Sequence, residues 1–126
     1  MNKEIINQEI STAYVVLAEV GIAKSGKIDN AFRGQISSFG AAITMGNLKA
    51  AIAFFSQTNG ASVDRDKIPV AILEVLKRER NAKPSYNTLF QMVNEEGEAV
   101  KEDILNAAIA LKLAMNLYEL VKPKKE

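Results

Sequence analysis

The chain has 126 residues, a formal net charge of +1 and 48% hydrophobic residues, which suits one domain of about 100–150 residues with a real apolar core. It contains neither cysteine nor histidine, which excludes disulfides, zinc–thiolate sites, cysteine nucleophiles, imidazole acid–base chemistry and the usual hydrolase triads. A charge so near zero gives no global electropositive field, so any nucleic-acid contact has to use a local patch.

The opening MNKEIINQEI places acids and amides where a signal peptide needs an unbroken apolar run. No stretch reaches the roughly 20 apolar residues that cross a membrane, so a cytoplasmic protein without membrane contact is expected. A first helix is predicted from Lys3 to about Lys24, with Ile6, Ile10, Tyr14, Leu17 and Gly21 recurring about every four residues. Ser25–Gly26 ends it, since glycine accepts the left-handed conformation common past a helix C-terminus. A second helix starts at Asp29 or Asn30 and carries Phe32, Ile36, Phe39 and Ile43 on one face. Gly46 and Asn47 break it, and Asn47 caps a third helix in which Leu48, Ala51, Ile52 and Phe55 share a face that Phe54 widens.

Thr58 to Ser62 reads as a loop. Asp64 or Asp66 caps a fourth helix with a stripe of Ile68, Ala71, Ile72, Val75 and Leu76, and Pro69 fits only its first turn. After a linker from Asn81 to Pro84, Ser85 caps a short fifth helix holding Tyr86, Leu89, Phe90 and Val93. A last helix runs from about Ala99 to Lys122, and residues from about 123 form a frayed tail. No strand pattern stands out, so the expected fold is all-α: a compact single-domain bundle of five to seven helices over residues 1–126. Phe39, Ile43, Leu48, Ile52, Phe54 and Phe55 form its expected structural core.

Few residues here suggest chemistry. Gly21 to Lys27, GIAKSGK, has most of the spacing of a phosphate-binding loop, but Ile28 stands where magnesium needs a hydroxyl and a helix precedes the glycine. Lys24, Lys27 and Arg33 surround the junction of the first two helices, and Lys49 starts the third. Cations so placed can neutralise phosphate oxygens without reading bases, although composition by itself favours plain solvated surface charge. Lys77, Arg78, Arg80 and Lys83 form a secondary basic patch at the end of the fourth helix, where cations also complement the helix dipole. Glu95, Glu96, Glu98, Glu102 and Asp103 have nothing that fixes them around a metal. Tyr14, Phe32, Tyr86, Phe90 and Tyr118 have the ring faces that stack on bases, but all recur at helical core spacing. No nucleophile has an activating partner. The expectation is therefore a protein with no catalytic residues, no metal and no cofactor.

The stretch Phe39 to Ser56, FGAAITMGNLKAAIAFFS, carries a resemblance. The aromatic–basic pair Phe32–Arg33, the turn Gly46–Asn47–Leu48 and the helix Ala51–Ile52–Ala53–Phe54–Phe55 resemble the centre of the small all-helical subunit of the type III-B CRISPR RNA-targeting (Cmr) effector complex. The turn residues stand in the reverse of the family's order, and Thr44 occupies a position where many members carry arginine. The resemblance implies a non-catalytic structural subunit that stacks with copies of itself beside the other Cmr subunits. Such a subunit stabilises the filament and the guide and target RNA through backbone contacts, with Lys24, Lys27, Arg33 and Lys49 toward phosphate. The competing expectation is a protein–protein adaptor of another assembly without nucleic-acid contact.

Overall fold

Three- and four-residue apolar spacing builds helices through most of this chain. The computed structural model describes residues 1–57 and 63–122. The loop expected at Thr58 to Ser62 and the tail from Pro123 lie outside the described residues. Six α-helices are described: α1 (Lys3–Glu19), α2 (Ala31–Met45), α3 (Leu48–Phe55), α4 (Lys67–Glu79), α5 (Leu89–Glu96) and α6 (Lys101–Met115), with a 3-10 turn at Gly97–Val100 leading into the last.

The all-α expectation is corrected by a small sheet. Strands β1 (Ala23–Lys24), β2 (Lys27–Asp29) and β3 (Glu119–Val121) pair in the order β1-β2-β3, antiparallel for the first pair and parallel for the second. Two predicted helices are therefore too long. The first ends at Glu19 and the last at Met115. The chain is helix-dominated, with the sheet at one end.

Capping sets several of the boundaries. Asn2 accepts from the Ile5 N–H at 3.1 Å and Asn47 accepts from the Ala50 N–H at 2.9 Å, each closing an orphan donor of the first turn. The fifth helix begins after Thr88 instead of Ser85, because the Thr88 hydroxyl accepts from the Gln91 N–H at 3.0 Å. Gly46 makes the α2–α3 turn possible, since a Cβ there would sit 2.9 Å from the Ala42 carbonyl oxygen.

Helix α1 packs along α6 and α4, and α2 packs on α6 and α3. Two contacts show how α1 and α6 run. Asn106 accepts from the Asn2 N–H at 3.0 Å, and the Tyr118 hydroxyl donates to the Tyr14 carbonyl at 2.6 Å, with a sequence separation of 104 in both cases. The two segments therefore lie parallel and in step. Ala107, Ala110 and Ala114 of α6 and Ala13 of α1 are all fully buried, and side chains this small let the axes come close.

Phe39, Ile43, Leu48, Ile52 and Phe55 are buried as expected. Phe39 of α2 meets Phe55 of α3 edge to face at 5.2 Å, a pair contributing about 0.5–1.5 kcal/mol beyond its buried area. Phe54 is the exception: it is 51% exposed and does not belong to the core. It lies about 100° around the helix from Phe55, outside the buried stripe, and the Arg65 guanidinium stands over its ring at 4.4 Å. Phe55→Ala is expected to cost about 3–5 kcal/mol, against about 1 kcal/mol for Phe54→Ala. Gly46→Ala is expected to cost about 1–3 kcal/mol through its clash with a backbone carbonyl. Chemical denaturation measures all three, and equal destabilisation by the two phenylalanine substitutions would contradict this placement of the core.

Candidate nucleic-acid interface

The segment GIAKSGK is a β-hairpin. Past α1 the chain turns at Gly21, whose φ is +83°. Strands β1 and β2 are then joined by Ser25 and Gly26, with φ of 53° and 77°. Two successive positive φ values make the two-residue turn whose twist matches that of paired strands. Ile28 points into the core and is fully buried, so its neighbours in the strand alternate outward.

That turn places Lys24 directly opposite Lys27. Both are exposed, and neither forms an ion pair with a described residue. Like charges directly opposite on one face of a strand pair destabilise it. A third cation joins them from α4. Lys67 donates to the Gly21 carbonyl at 3.2 Å and lies 3.8 Å from the Asp64 carboxylate. All three lysines line an open cavity of about 540 Å³, with Ile22 and Phe32 supplying apolar wall. Two acids, Asp29 and Asp64, also line it. Each is engaged: Asp29 accepts from the Ala31 N–H at 2.9 Å at the start of α2, and Asp64 faces Lys67. Three lysines against two aspartates leave the lining with a net charge of +1, and Lys24 and Lys27 are its cations without an ion pair among the described residues.

Arg33 and Lys49 do not line this cavity. Arg33 is half-buried on α2 with its Nε buried and without a hydrogen-bond partner. Lys49 is exposed in the first turn of α3. Two of the four cations of the secondary basic patch, Arg78 and Lys83, are ion-paired. Arg78 pairs with Glu19 and, at 3.7 Å, with Glu74. Lys83 pairs with Glu95 at 2.8 Å, which holds the carboxyl below its ordinary pKa and the ammonium above its own. Arg80 lines a small cavity of about 70 Å³ together with Glu96 and Asp103, and Lys77 is half-buried. A phosphate at this end of α4 would compete with carboxylates already in place.

The acidic run is shared out among separate partners. Glu95 is held by Lys83, Glu96 accepts from the Tyr86 hydroxyl at 2.5 Å, and Glu102 takes the terminal amino group. The bond to Glu96, with burial second, pushes the Tyr86 phenol pKa up. Phe32 and Tyr86 are buried, and Tyr14 stacks on Tyr118 with ring centroids 4.5 Å apart.

Two residues of consequence were not singled out from the sequence. Lys67 reaches the hairpin only through the meeting of α4 with a segment 46 residues away. Glu9 did leave a signal: it falls between Ile6 and Ala13 at three- and four-residue spacing, on the stripe that becomes buried. Glu9 is 1% exposed, and neither carboxylate oxygen has a hydrogen-bond partner. Burial raises its pKa from 4.5 to about 7; Arg80 opposes the shift, while Asp103 and Glu79 add to it.

A carboxyl whose folded pKa is raised holds its proton more tightly in the native state. Its contribution is therefore full below pH 4.5 and disappears as the pH rises to about 7. Over that window the wild type should lose roughly 2–3 kcal/mol relative to Glu9→Gln. Parallel pH–stability curves for the two proteins would show that Glu9 is already ionised in the fold.

No family model, no curated protein and no solved structure matches this chain.

Proposed function

We propose that the chain is a non-catalytic structural subunit of a CRISPR RNA-guided effector complex of the Cmr kind, steadying the filament and the guide–target RNA through backbone contacts. One observation carries this reading: Lys24 and Lys27 are exposed, directly opposed and without an ion-pair partner among the described residues, and Lys67 joins them around one open cavity. A phosphate oxygen between the two opposed lysines relieves their repulsion, so anion binding and hairpin stability favour each other. The sequence resemblance around Phe32–Arg33 and Gly46 to Phe55 supplies the class of assembly.

The mechanism is positional. Lysine ammonium groups neutralise phosphates as point charges and carry no base-reading geometry. Among the described residues, the cavity lining holds no cysteine, histidine, serine or threonine to act as a nucleophile. In the resembled complex, RNA cleavage belongs to other subunits, and copies of this chain stack beside them in the cytoplasm. Stacking multiplies one small patch along the RNA, so that a weak isolated contact becomes useful through effective concentration.

The test uses reconstituted complexes carrying the wild type or a variant with Lys24, Lys27 and Lys67 all changed to alanine. The variant is expected to retain target RNA less well, equally for different matched sequences. Its salt dependence should be shallower by about 0.7 in log–log slope for each phosphate that the wild type neutralises and the variant does not. Unchanged affinity and slope would reject the cationic interface and favour the adaptor reading. Failure of the variant to enter the complex would place these lysines at a subunit boundary instead.

A further inference from the structure

Helix α6 is bordered by three adjoining hollows. Ile6, Ile10, Ile109 and Leu113 line one of about 230 Å³ against α1. Ile10, Tyr14 and Leu117 line the next, of about 330 Å³. Gly40, Ala41, Leu105 and Ile109 line a third, of about 280 Å³, against α2. Ile10 and Ile109 are each shared between two hollows, so the three form one trough.

The trough is apolar yet open. Leu117 is 62% exposed, Leu113 43% and Tyr14 39%. Its rungs are regular. Ile6, Ile10 and Tyr14 along α1, and Ile109, Leu113 and Leu117 along α6 and just past its end, both advance by four residues. Because the two helices are parallel and in step, the rungs face each other across the trough for about 12 Å. That length takes three side chains of a helix at i, i+4 and i+7 or i+8, the spacing of helix-in-groove recognition.

The charge around the trough selects the occupant. Among the described residues that line the three hollows, the charged side chains are Lys3 and Lys112, and no aspartate or glutamate is present. A second copy of this chain docking face to face would bring the same two lysines against like charge, because a two-fold contact pairs a patch with itself. A helix with carboxylates beside its apolar stripe meets opposite charge on both lysines. We propose that the α1–α6–α2 trough is a docking surface for an amphipathic helix of a different protein that carries acidic residues flanking its apolar face. This surface stands apart from the lysine hairpin and does not depend on RNA binding.

Two synthetic helical peptides test the proposal by fluorescence anisotropy with the full chain. Both carry leucines at i, i+4 and i+7; one flanks them with glutamates and its twin with lysines. The glutamate peptide is expected to bind on the order of tenfold more tightly than its twin. Leu113→Ala and Leu117→Ala, both exposed and so compatible with folding, should each weaken it by a similar factor. Lys3→Glu with Lys112→Glu should invert the preference toward the lysine peptide. Binding should be unchanged when Lys24 and Lys27 are replaced, which separates this surface from the RNA contact. Equal binding of the two peptides, or no binding of either, overturns the proposal. So would self-association in sedimentation that Leu113→Ala abolishes, since a second copy would then cover the trough. Recruitment to anionic vesicles that depends on Leu113 would likewise assign the trough to lipid.

Discussion

The parallel alignment of α1 with α6 is the constraint on which the rest depends. Both helices leave at the same end of the molecule, α1 at Glu19 and α6 at Met115. The segments that follow them therefore emerge side by side. One folds into the β1–β2 hairpin, and the other supplies β3, whose Leu120 lies opposite Ile28 in parallel register. An antiparallel arrangement would send the two exits to opposite ends and leave β2 with an unpaired edge. The Tyr14–Tyr118 stack sits at the junction, where the end of the helix pair becomes the sheet. The Glu119 N–H donates to the Gly26 carbonyl at 3.0 Å and the Asn30 N–H to the Val121 carbonyl at 2.7 Å, so the third strand also ties down the turn and the start of α2. A hairpin alone is marginal in water; here β2 is the middle strand of a three-stranded sheet, rooted by Ile28.

Local charge balance explains how a chain of net charge +1 presents a cationic site. The cations at the end of α4 outnumber those of the hairpin, yet Arg78 and Lys83 are matched by acids from α1, α4 and α5. The hairpin lysines are not matched in this way. Exposed ion pairs of the first kind contribute little to stability, because solvent screens them. Their effect is to cancel field at that end, whereas Lys24 and Lys27 face each other without an ion pair, with Glu119 in register beside Lys27 and Asp29 on the cavity wall. Density of lysine and arginine in sequence is thus a poor guide to potential on the surface.

Helix existence was legible because it depends on spacing that survives in one dimension. Asn47 was readable as a cap, and Phe39, Ile43, Leu48, Ile52 and Phe55 as core, from three- and four-residue steps alone. The sheet was not legible for a physical reason. Strands of two and three residues contain too few alternations to show a period of two. Ser25–Gly26 serves a helix end and a hairpin turn equally well, because both need a residue at positive φ. Met115, Tyr118 and Val121 keep helical spacing past the true end of α6, which hid β3. The candidate site was half legible for the same reason. Lys24 and Lys27 are neighbours in sequence, whereas Lys67 joins them only through tertiary packing. Phe54 failed because a helix face is narrower than an apolar run: once Leu48, Ala51, Ile52 and Phe55 define the stripe, Phe54 points outside it.

The cationic hairpin and the apolar trough share one mechanical support. Tyr14 lines the trough through one ring and, through the stack with Tyr118, holds the residue that precedes β3. Leu117, the most exposed large apolar side chain of the trough after Met1, lies two residues before that strand. β3 in turn pairs with β2 and sets Glu119 in register with Lys27. The two surfaces therefore share a short, named set of supporting residues, Tyr14, Tyr118, Leu120 and Ile28, while each presents side chains of its own, Leu113 and Leu117 in the trough and Lys24 and Lys27 on the hairpin.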